Sequence, residues 1–310
     1  MYKLLRPFIL YRLLILIFTS TIALPCFALD PDPRRWAHLP IDANFGGFAF
    51  AYTEADILFD PTLSLEDVKM ELDTVAGKYI RTFEVFKRSA RIDITQAYQE
   101  GKWTGLLEGV PASTSRSGLS DTFVRVAINL LGAPPLRGKE YGIHRANANI
   151  ETTVGVGLAV RLPTGDYQED KLINLGQNRF AFRPQLGITH TRGKWSTELT
   201  GEVAFFTKND EFFNGNSLEQ KPLYIVHGHL IYTTTPGHWV SFSLGYDYGG
   251  EYTVNGIDKD DTKQDIGWKL SYAYPINRTS GFKITYLGTR TQEDVGFDSE
   301  TLALSASFLW

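Results

Sequence analysis

Apolar and polar residues alternate along most of the chain from Phe45 to its end. The pattern is clearest at residues 150–162, where every second residue is Leu or β-branched and those between are small or polar. A period of two residues is that of a β-strand with two different faces. The alternation therefore predicts strands with one apolar side and one side that contacts water.

Twelve segments share this alternation. They are residues 46–52, 78–86, 90–98, 120–130, 150–162, 179–191, 195–205, 223–233, 239–248, 265–274, 281–292 and 299–310. The facing of 78–86 stays open because Arg81 and Glu84 have opposite parity, and this strand starts as early as Val68 in one interpretation. Residues 99–118 have Gly, Pro and Ser spaced through them and are interpreted as an irregular loop.

The last segment ends on an aromatic residue. Leu302, Leu304, Phe308 and Trp310 share one face of it, and small or polar residues occupy the other face. This ending is typical of the closing strand of an outer-membrane barrel. We interpret Phe308 and Trp310 as an assembly signal that the barrel-assembly machinery binds. A globular β-sandwich that ends on Trp is the alternative.

The connections between the segments separate by length. Those on one rim are short except residues 132–147, whereas those on the other rim are mostly long. Outer-membrane barrels have short periplasmic turns and longer extracellular loops. Trp195, Trp239 and Trp310 come near the short-turn rim, where an aromatic belt is expected. Residues 45–310 are thus predicted to form a monomeric, all-β, transmembrane antiparallel up-and-down β-barrel of about 12 strands, with short periplasmic turns and longer extracellular loops.

Residues 1–28 have the composition of a Sec-type export signal. Lys3, Arg6 and Arg12 lie at its start, an apolar run follows, and small residues suited to cleavage end at Ala28. A retained spanning helix needs about 20 apolar residues, and three hydroxyl residues at 19–21 interrupt a shorter core. Acylation of Cys26 is a further alternative, although the preceding proline fits it poorly. We therefore predict location in the bacterial outer membrane.

Charge and cysteine content narrow the class of protein. Removing three of the 31 basic residues leaves 28 against 35 acidic ones, a formal charge of −7, so we predict no binding of nucleic acid. Cys26 is the only cysteine, so the mature chain forms no disulfide. No apolar run after the signal is long enough for a spanning helix. A closed barrel in contact with outer-membrane lipid remains, because it satisfies every backbone polar group.

Two motifs lie close together in the chain: residues 162–167 read Leu-Pro-Thr-Gly-Asp-Tyr, and residues 175–187 begin Leu-Gly-Gln-Asn-Arg-Phe. Residues 86–93, 117–121 and 131–136 are supporting blocks. Together they resemble the transporter-like outer-membrane family described as "putative MetA-pathway of phenol degradation", from about residue 45 to 310. The resemblance implies a barrel that passes or binds small organic molecules, often apolar or aromatic. It transfers no functional residues, and it does not make phenol the substrate.

Parity places charged residues on the inward face of the strands. They are Arg91, Asp93, Arg125, Glu151, Arg161, Arg183, Glu198, Glu202, Asp247, Lys269 and Lys283. Both signs are mixed, which favours a mutually paired network over a lumen that selects ions of one sign. The same residues are the candidate solute path. Twelve strands lie between the filled barrels of eight and the open barrels of sixteen, so the path is expected to be narrow.

No cofactor is predicted, and the case for a metal or an enzyme is weak. His227 and His229 share one strand face, a spacing compatible with one metal ion, but no third ligand is apparent, which favours two polar lumen residues. A lipid hydrolase needs a nucleophile and a base that face lipid. These two histidines face inward, no strand combines an outward serine and histidine, and no serine-nucleophile motif is present. We predict a non-enzymatic channel, with a non-transporting structural barrel as the alternative.

The irregular leader, residues 29–44, is too long for a cleavage spacer and too rich in proline for a strand. It carries Arg34, Arg35 and Trp36 near the predicted periplasmic rim, while the predicted lumen contains carboxylates. Charge-assisted hydrogen bonds between them would hold the leader inside the barrel as a plug. A disordered periplasmic tail is the alternative.

Overall fold

A computed structural model describes residues 32–58 and 65–310, so the predicted export signal lies outside the described residues. Within these ranges, no helix is long and apolar enough to cross a membrane. The elements are β1 Asn44–Leu58, β2 Leu65–Val85, β3 Arg88–Leu107, β4 Val110–Leu119, β5 Thr122–Leu131, α1 Gly138–Asn147, β6 Ile150–Leu162, β7 Ala181–Arg192, β8 Trp195–Phe206, β9 Asn209–Phe212, β10 Asn216–Gln220, β11 Leu223–Thr235, β12 His238–Gly249, β13 Tyr252–Val254, β14 Ile257–Asp258, β15 Lys263–Pro275, β16 Ser280–Thr291 and β17 Gly296–Leu309.

Twelve of these strands close into an antiparallel barrel. Each pairs with the next barrel strand along the chain, and β1 closes the ring by pairing with β17 from Phe45 opposite Leu309 to Leu58 opposite Gly296. Closure leaves no free edge in the wall, which a bilayer requires because its core offers no water to unpaired backbone groups. The predicted twelve-stranded outer-membrane barrel is confirmed.

The two faces of the barrel wall differ as the alternation predicts. On β7, Leu186 and Ile188 are 58% and 42% exposed on the outside, whereas Arg183 and Gln185 are buried inside. The same division continues around the wall and produces an outward apolar belt, for example at Phe50, Val75, Leu199, Phe242, Leu270 and Leu304. An apolar belt on a closed barrel places the protein in the bacterial outer membrane.

The aromatic residues at the short-turn rim follow the prediction with one exception. Trp195 and Trp310 are exposed on the outside, but the placement of Trp239 in the belt is wrong. Odd-numbered positions of β12 face the interior, and the guanidinium of Arg34 lies 5.6 Å from the centre of the Trp239 ring. The adjacent His238 contacts the outward Tyr272 edge-on instead.

The interpretation of residues 99–118 as an irregular loop is wrong. β3 continues to Leu107, turns at Glu108 and Gly109, and pairs with β4. Alternation is weak here because both faces of a strand can contact water beyond the membrane. Backbone pairing between β3 and β4 is then enough to form the strands. The neighbouring β2 begins at Leu65. The structure also settles which face of this strand points inward: Lys78 and Thr82 do, because Lys78 contacts Asp32 and Thr82 is buried.

The long connections on the outer rim contain structure of their own. Strands β9, β10, β13 and β14 form a separate four-stranded sheet. Its apolar cluster consists of Phe212, Leu218, Tyr252 and Val254, with Leu172 packed against it. On the opposite rim, α1 occupies the one long connection, between β5 and β6. The helix therefore accounts for the exception to the short turns on that rim.

Trp310 lies at the end of the closing seam. Its backbone N–H and carbonyl both pair with Asn44 at 3.0 Å, and its ring centre lies 6.2 Å from that of Tyr79. We predict that removing Trp310 lowers the amount of folded barrel in the membrane, because the last pairing of the seam and its rim aromatic are lost. The measurement is the fraction of unheated protein that migrates differently from boiled protein in a denaturing gel. Trp195→Ala is the control, since Trp195 is an exposed tryptophan on the same rim but away from the seam; equal folded fractions would contradict the prediction.

Candidate functional site

Residues 32–43, the described part of the leader, run inside the barrel. Trp36 is 1% exposed, and its indole N–H donates to Thr200 Oγ1 at 2.8 Å. The guanidinium of Arg35 forms an ion pair with Glu202, and the backbone N–H of Arg35 donates to Glu198 at 3.1 Å. Residues 198, 200 and 202 are successive inward positions of β8. One strand of the wall therefore binds both Arg35 and Trp36.

Two glycines make room for the Trp36 ring. Gly155 on β6 and Gly187 on β7 are directly opposite each other in the sheet. A Cβ atom on Gly187 would lie 1.8 Å from Trp36 Nε1, and one on Gly155 would lie 2.4 Å from the ring. The guanidinium of Arg125 lies 4.7 Å from the ring centre, in cation–π contact. Sequence reasoning missed this seat, although glycine inside a strand can signal such a close approach.

The opposite wall binds the leader through Asp32, which sequence reasoning did not single out. Its carboxylate lies 3.3 Å from the ammonium of Lys78 and 3.5 Å from that of Lys283. Burial opposes ionisation of Asp32, but Lys283, Lys78 and Lys269 outweigh burial and hold the pKa of Asp32 well below its ordinary value. The leader thus presents a carboxylate to lysines and Arg35 to glutamates on another part of the wall.

The predicted inward charges form paired groups. Glu202 accepts hydrogen bonds from Arg183 and Gln185, each at 2.9 Å. Asp93 Oδ2 accepts from Arg91 at 3.0 Å and from Arg125 at 3.2 Å. Such charge-assisted bonds away from bulk water hold the side chains in defined positions.

The remaining predicted lumen residues also lie on inward faces. The guanidinium of Arg161 lies 4.8 Å from the ring centre of Phe123. Asp247 accepts from the backbone N–H of Asp265 at 3.3 Å, and Lys269 is buried on β15. Glu151 lies at the short-turn end of β6. That these residues line a solute path stays a prediction.

His227 and His229 face the interior, as their parity predicts. His227 Nδ1 lies 3.6 Å from Glu202 Oε1, and His229 Nδ1 lies 2.8 Å from Ser243 Oγ. Their ring centres are 6.3 Å apart. In residues 32–58 and 65–310, the group of three ligand-type side chains compact enough for a metal ion is a different one, at residues 38, 144 and 151.

The Pro-Thr-Gly-Asp motif holds an outer loop in place. Asp121 accepts from the backbone N–H groups of Gly165 and Gln177, at 3.0 and 2.9 Å. Asp166 accepts from the backbone N–H of Leu119. A Cβ on Gly165 would lie 2.8 Å from Gly176 Cα, so the two ends of the loop touch. These motif residues fix the connection between β6 and β7 over the outer mouth.

That connection contributes apolar side chains to the outer end of the interior. Ile173 and Leu175 pack against a buried cluster of Ala55, Met70, Leu72 and Trp103. Trp103 is 3% exposed, and in the described part of the chain its indole N–H has no hydrogen-bond acceptor. The outer end of the interior is therefore apolar beside β2 and β3, whereas buried Arg161, Asp247 and Asp265 lie within two residues of the outer ends of their strands.

An open recess of about 310 Å³ lies between the leader and the wall. Arg35, Trp36, Ala127 and Asn129 are among its lining residues.

One hydroxyl–imidazole pair lies on the outside of the barrel. Thr152 Oγ1 is 2.8 Å from His190 Nδ1, and both side chains are exposed. Thr152 and His190 lie on neighbouring strands, and the hydroxyl is that of threonine. The pair is therefore not a serine and a histidine on one strand, which is the pattern considered in the sequence. On the neighbouring strand β8, the residue in register with His190 is Thr197. A threonine orients an imidazole less strongly than the carboxylate or amide of a hydrolytic triad.

Three solved structures illustrate what this chain resembles. The COG4313 outer membrane channel from Pseudomonas putida F1 has a TM-score of 0.76 and 18% identity, over 90% of this chain and 99% of that one. The β-domain of the Bordetella autotransporter BrkA has a TM-score of 0.49 and 7% identity, over 87% and 100%. The CymD monoaromatic hydrocarbon channel has a TM-score of 0.44 and 6% identity, over 88% and 90%. At 18% identity, the first of these likenesses shows a shared fold.

No curated protein matches the sequence. The family described as "Putative MetA-pathway of phenol degradation" matches residues 43–305, which include all twelve barrel strands except the last residues of β17. The family model matches most of the chain. The closed barrel, except the last residues of β17, and the loop held by Asp121 and Asp166 both lie within the matched residues. The chain belongs to this family of outer-membrane barrels.

Proposed function

We propose that this protein is an outer-membrane channel for small organic molecules and that its leader is the plug. The observation that carries the proposal is the seating of Arg35 and Trp36 on β8, with Asp32 bound to lysines elsewhere on the wall. A segment anchored at two parts of the wall blocks the interior. Solute then passes when the leader moves aside. The COG4313 protein, which shares the fold, is an outer membrane channel, and this likeness supports the same class of function.

The interior favours a solute of modest polarity. Its outer end includes the apolar cluster around Met70 and Trp103, and the buried charges of Arg125 and Glu202 are paired with Asp93 and Arg183. Paired charges attract a free ion less than a lumen of one sign does. The family description supports an organic solute, and an aromatic one suits the apolar cluster.

Two other functions are weaker. A structural barrel without transport needs no anchored leader. Here the leader makes ion pairs with β8 and with β2, on opposite sides of the barrel. A lipid hydrolase has the outward pair of Thr152 and His190 in its favour, but Thr197, the residue in register with His190 on β8, has neither a carboxylate nor an amide. We therefore infer a non-enzymatic role. We also propose that the outward belt contacts lipid and that the C-terminal strand binds the assembly machinery.

Deleting residues 30–42 behind an intact signal should raise single-channel conductance, because the contacts that hold the plug are removed. Arg34→Ala combined with Arg35→Ala should raise it partially, since the contacts of Trp36 and Asp32 remain. Conductance in planar bilayers is the measurement. The control is Arg192→Ala combined with Lys194→Ala, which removes the same charge from an exposed turn on the same rim. If the deleted chain folds and its conductance equals that of the intact chain, the leader is a tail and not a plug.

Gly187→Ala should release the leader without changing its sequence. The added methyl group would overlap Trp36 Nε1 at 1.8 Å. Overpacking costs about 1–3 kcal/mol, which corresponds to a roughly 5- to 150-fold rise in the population of released leader. The readout is the rate at which trypsin cleaves after Arg34 and Arg35 in the folded protein.

Gly228→Ala is the matched control, because a Cβ at Gly228 contacts nothing within 4 Å. We expect it to leave the cleavage rate unchanged. Equal rates for the two variants would show that Trp36 does not occupy the seat formed by Gly155 and Gly187.

Liposome-swelling assays with a panel of solutes test the substrate class. We expect flux of small aromatic solutes to exceed that of sugars of similar size, because the outer cluster is apolar and the inner charges are paired. Leader deletion should raise both fluxes and keep their order. Absence of flux for aromatic, fatty and sugar solutes alike, in a correctly folded barrel, would favour the structural function.

A further inference from the structure

Three separate elements meet at the short-turn rim. His38 comes from the leader, His144 from α1 and Glu151 from β6. Glu151 Oε1 lies 2.9 Å from His38 Nδ1 and 3.0 Å from His144 Nε2. The three ligand-type atoms all lie within 4.8 Å of one another, and His38 is 6% exposed. Two imidazoles and a carboxylate thus converge on one point.

The surroundings of His38 decide which of its ring nitrogens carries hydrogen. Its Nε2 lies 2.9 Å from the carbonyl oxygen of Pro134. A carbonyl only accepts, so Nε2 bears the hydrogen and a neutral His38 directs the lone pair of Nδ1 at Glu151 Oε1. Two lone pairs at 2.9 Å repel each other. A bridging hydrogen or a metal ion between the two atoms removes this repulsion.

The ligand set and its supports match a metal site. Zinc binds imidazole nitrogen and carboxylate oxygen at about 2.0–2.2 Å in tetrahedral geometry, which separates ligand atoms by roughly 3.3 Å. The two nitrogen–oxygen distances need to open by only a few tenths of an ångström, and the two ring nitrogens, which lie within 4.8 Å of each other, need to adjust to the same spacing. A ligating imidazole usually donates its other N–H to a carbonyl or carboxylate, as His38 does to Pro134. Arg145 likewise donates to the second oxygen of Glu151, at 2.6 Å.

We propose that His38, His144 and Glu151 bind one zinc ion, which fastens the leader to the barrel wall at the short-turn rim. Three protein ligands leave a fourth position for water. The ligands come together only in the folded chain, so binding stabilises the docked leader. The proposal does not depend on transport, because the ion fastens the leader whether or not solute passes.

The test uses the full chain without a histidine tag, purified from outer membranes and stripped with EDTA. Calorimetric titration with Zn²⁺ should show one ion per chain, and Co²⁺ should give the visible absorption of a tetrahedral site. His144→Gln and Glu151→Gln should each abolish both signals. His190→Gln is the control, since His190 is on the same half of the barrel but faces outward, and it should bind as the wild type does.

A second readout isolates the fastening of the leader. At a Zn²⁺ concentration of about 100 times Kd, opening of a metal-fastened leader is suppressed about 100-fold. Trypsin cleavage after Arg34 and Arg35 should slow by that factor in the wild type and be unaffected by Zn²⁺ in His144→Gln. His144 lies outside the leader, so its loss changes the zinc dependence of cleavage only through the ion.

Two outcomes overturn the proposal. If the wild type binds no Zn²⁺, the three side chains form a hydrogen-bonded cluster and not a metal site. If His144→Gln and Glu151→Gln bind as the wild type does, the ion is held elsewhere. Heat-shifted gel mobility shows that each variant is folded; if Glu151→Gln fails to fold, the more exposed His144→Gln carries the test. Failure of either kind leaves the conductance test of the plug unaffected.

Discussion

The fold depends on backbone hydrogen bonding in a solvent without water. Every barrel strand pairs on both sides, and the seam between β1 and β17 completes the ring over fourteen residue pairs. Once the wall is closed, the two-residue period of each strand directs apolar side chains outward and charged ones inward. The position of Asn44 at the end of this seam also sets where the leader enters. The apolar belt, the charged interior and the entry point of the leader all follow from closure.

Burying charge requires a partner for each charge, and this requirement links the leader to the wall. Glu198 and Glu202 are buried on β8, where unpaired carboxylates would be costly. Arg35 supplies part of their compensation, and Arg183 and Gln185 contribute further to that of Glu202. On the other side of the barrel, the carboxylate of Asp32 compensates the charges of Lys78 and Lys283. Because Glu202 keeps Arg183 when Arg35 leaves, release of the leader is less costly than exposure of an isolated buried charge.

The motifs that identify the family and the residues that form the site are different sets. The Pro-Thr-Gly-Asp segment and Asp121 hold an outer loop, and their hydrogen bonds are to backbone groups of that loop. The leader binds instead to side chains from β8, β16 and β2. A match to the motifs therefore predicts the architecture of the outer mouth. It says little about solute, which contacts the interior.

The sequence by itself determined the strand period, the side of the wall on which most charged residues outside β2 lie and the separation of short turns from long loops. These are local properties, because the parity of a residue within a strand sets its face. Only the tertiary structure decided which side chains meet across the interior: Trp36 with Gly155 and Gly187, Asp32 with Lys283, and His38 with His144 and Glu151. It also decided that β3 and β4 extend beyond the membrane. Such contacts depend on strand register and on the path of the leader, which join residues more than a hundred positions apart and leave no periodic signal in the chain.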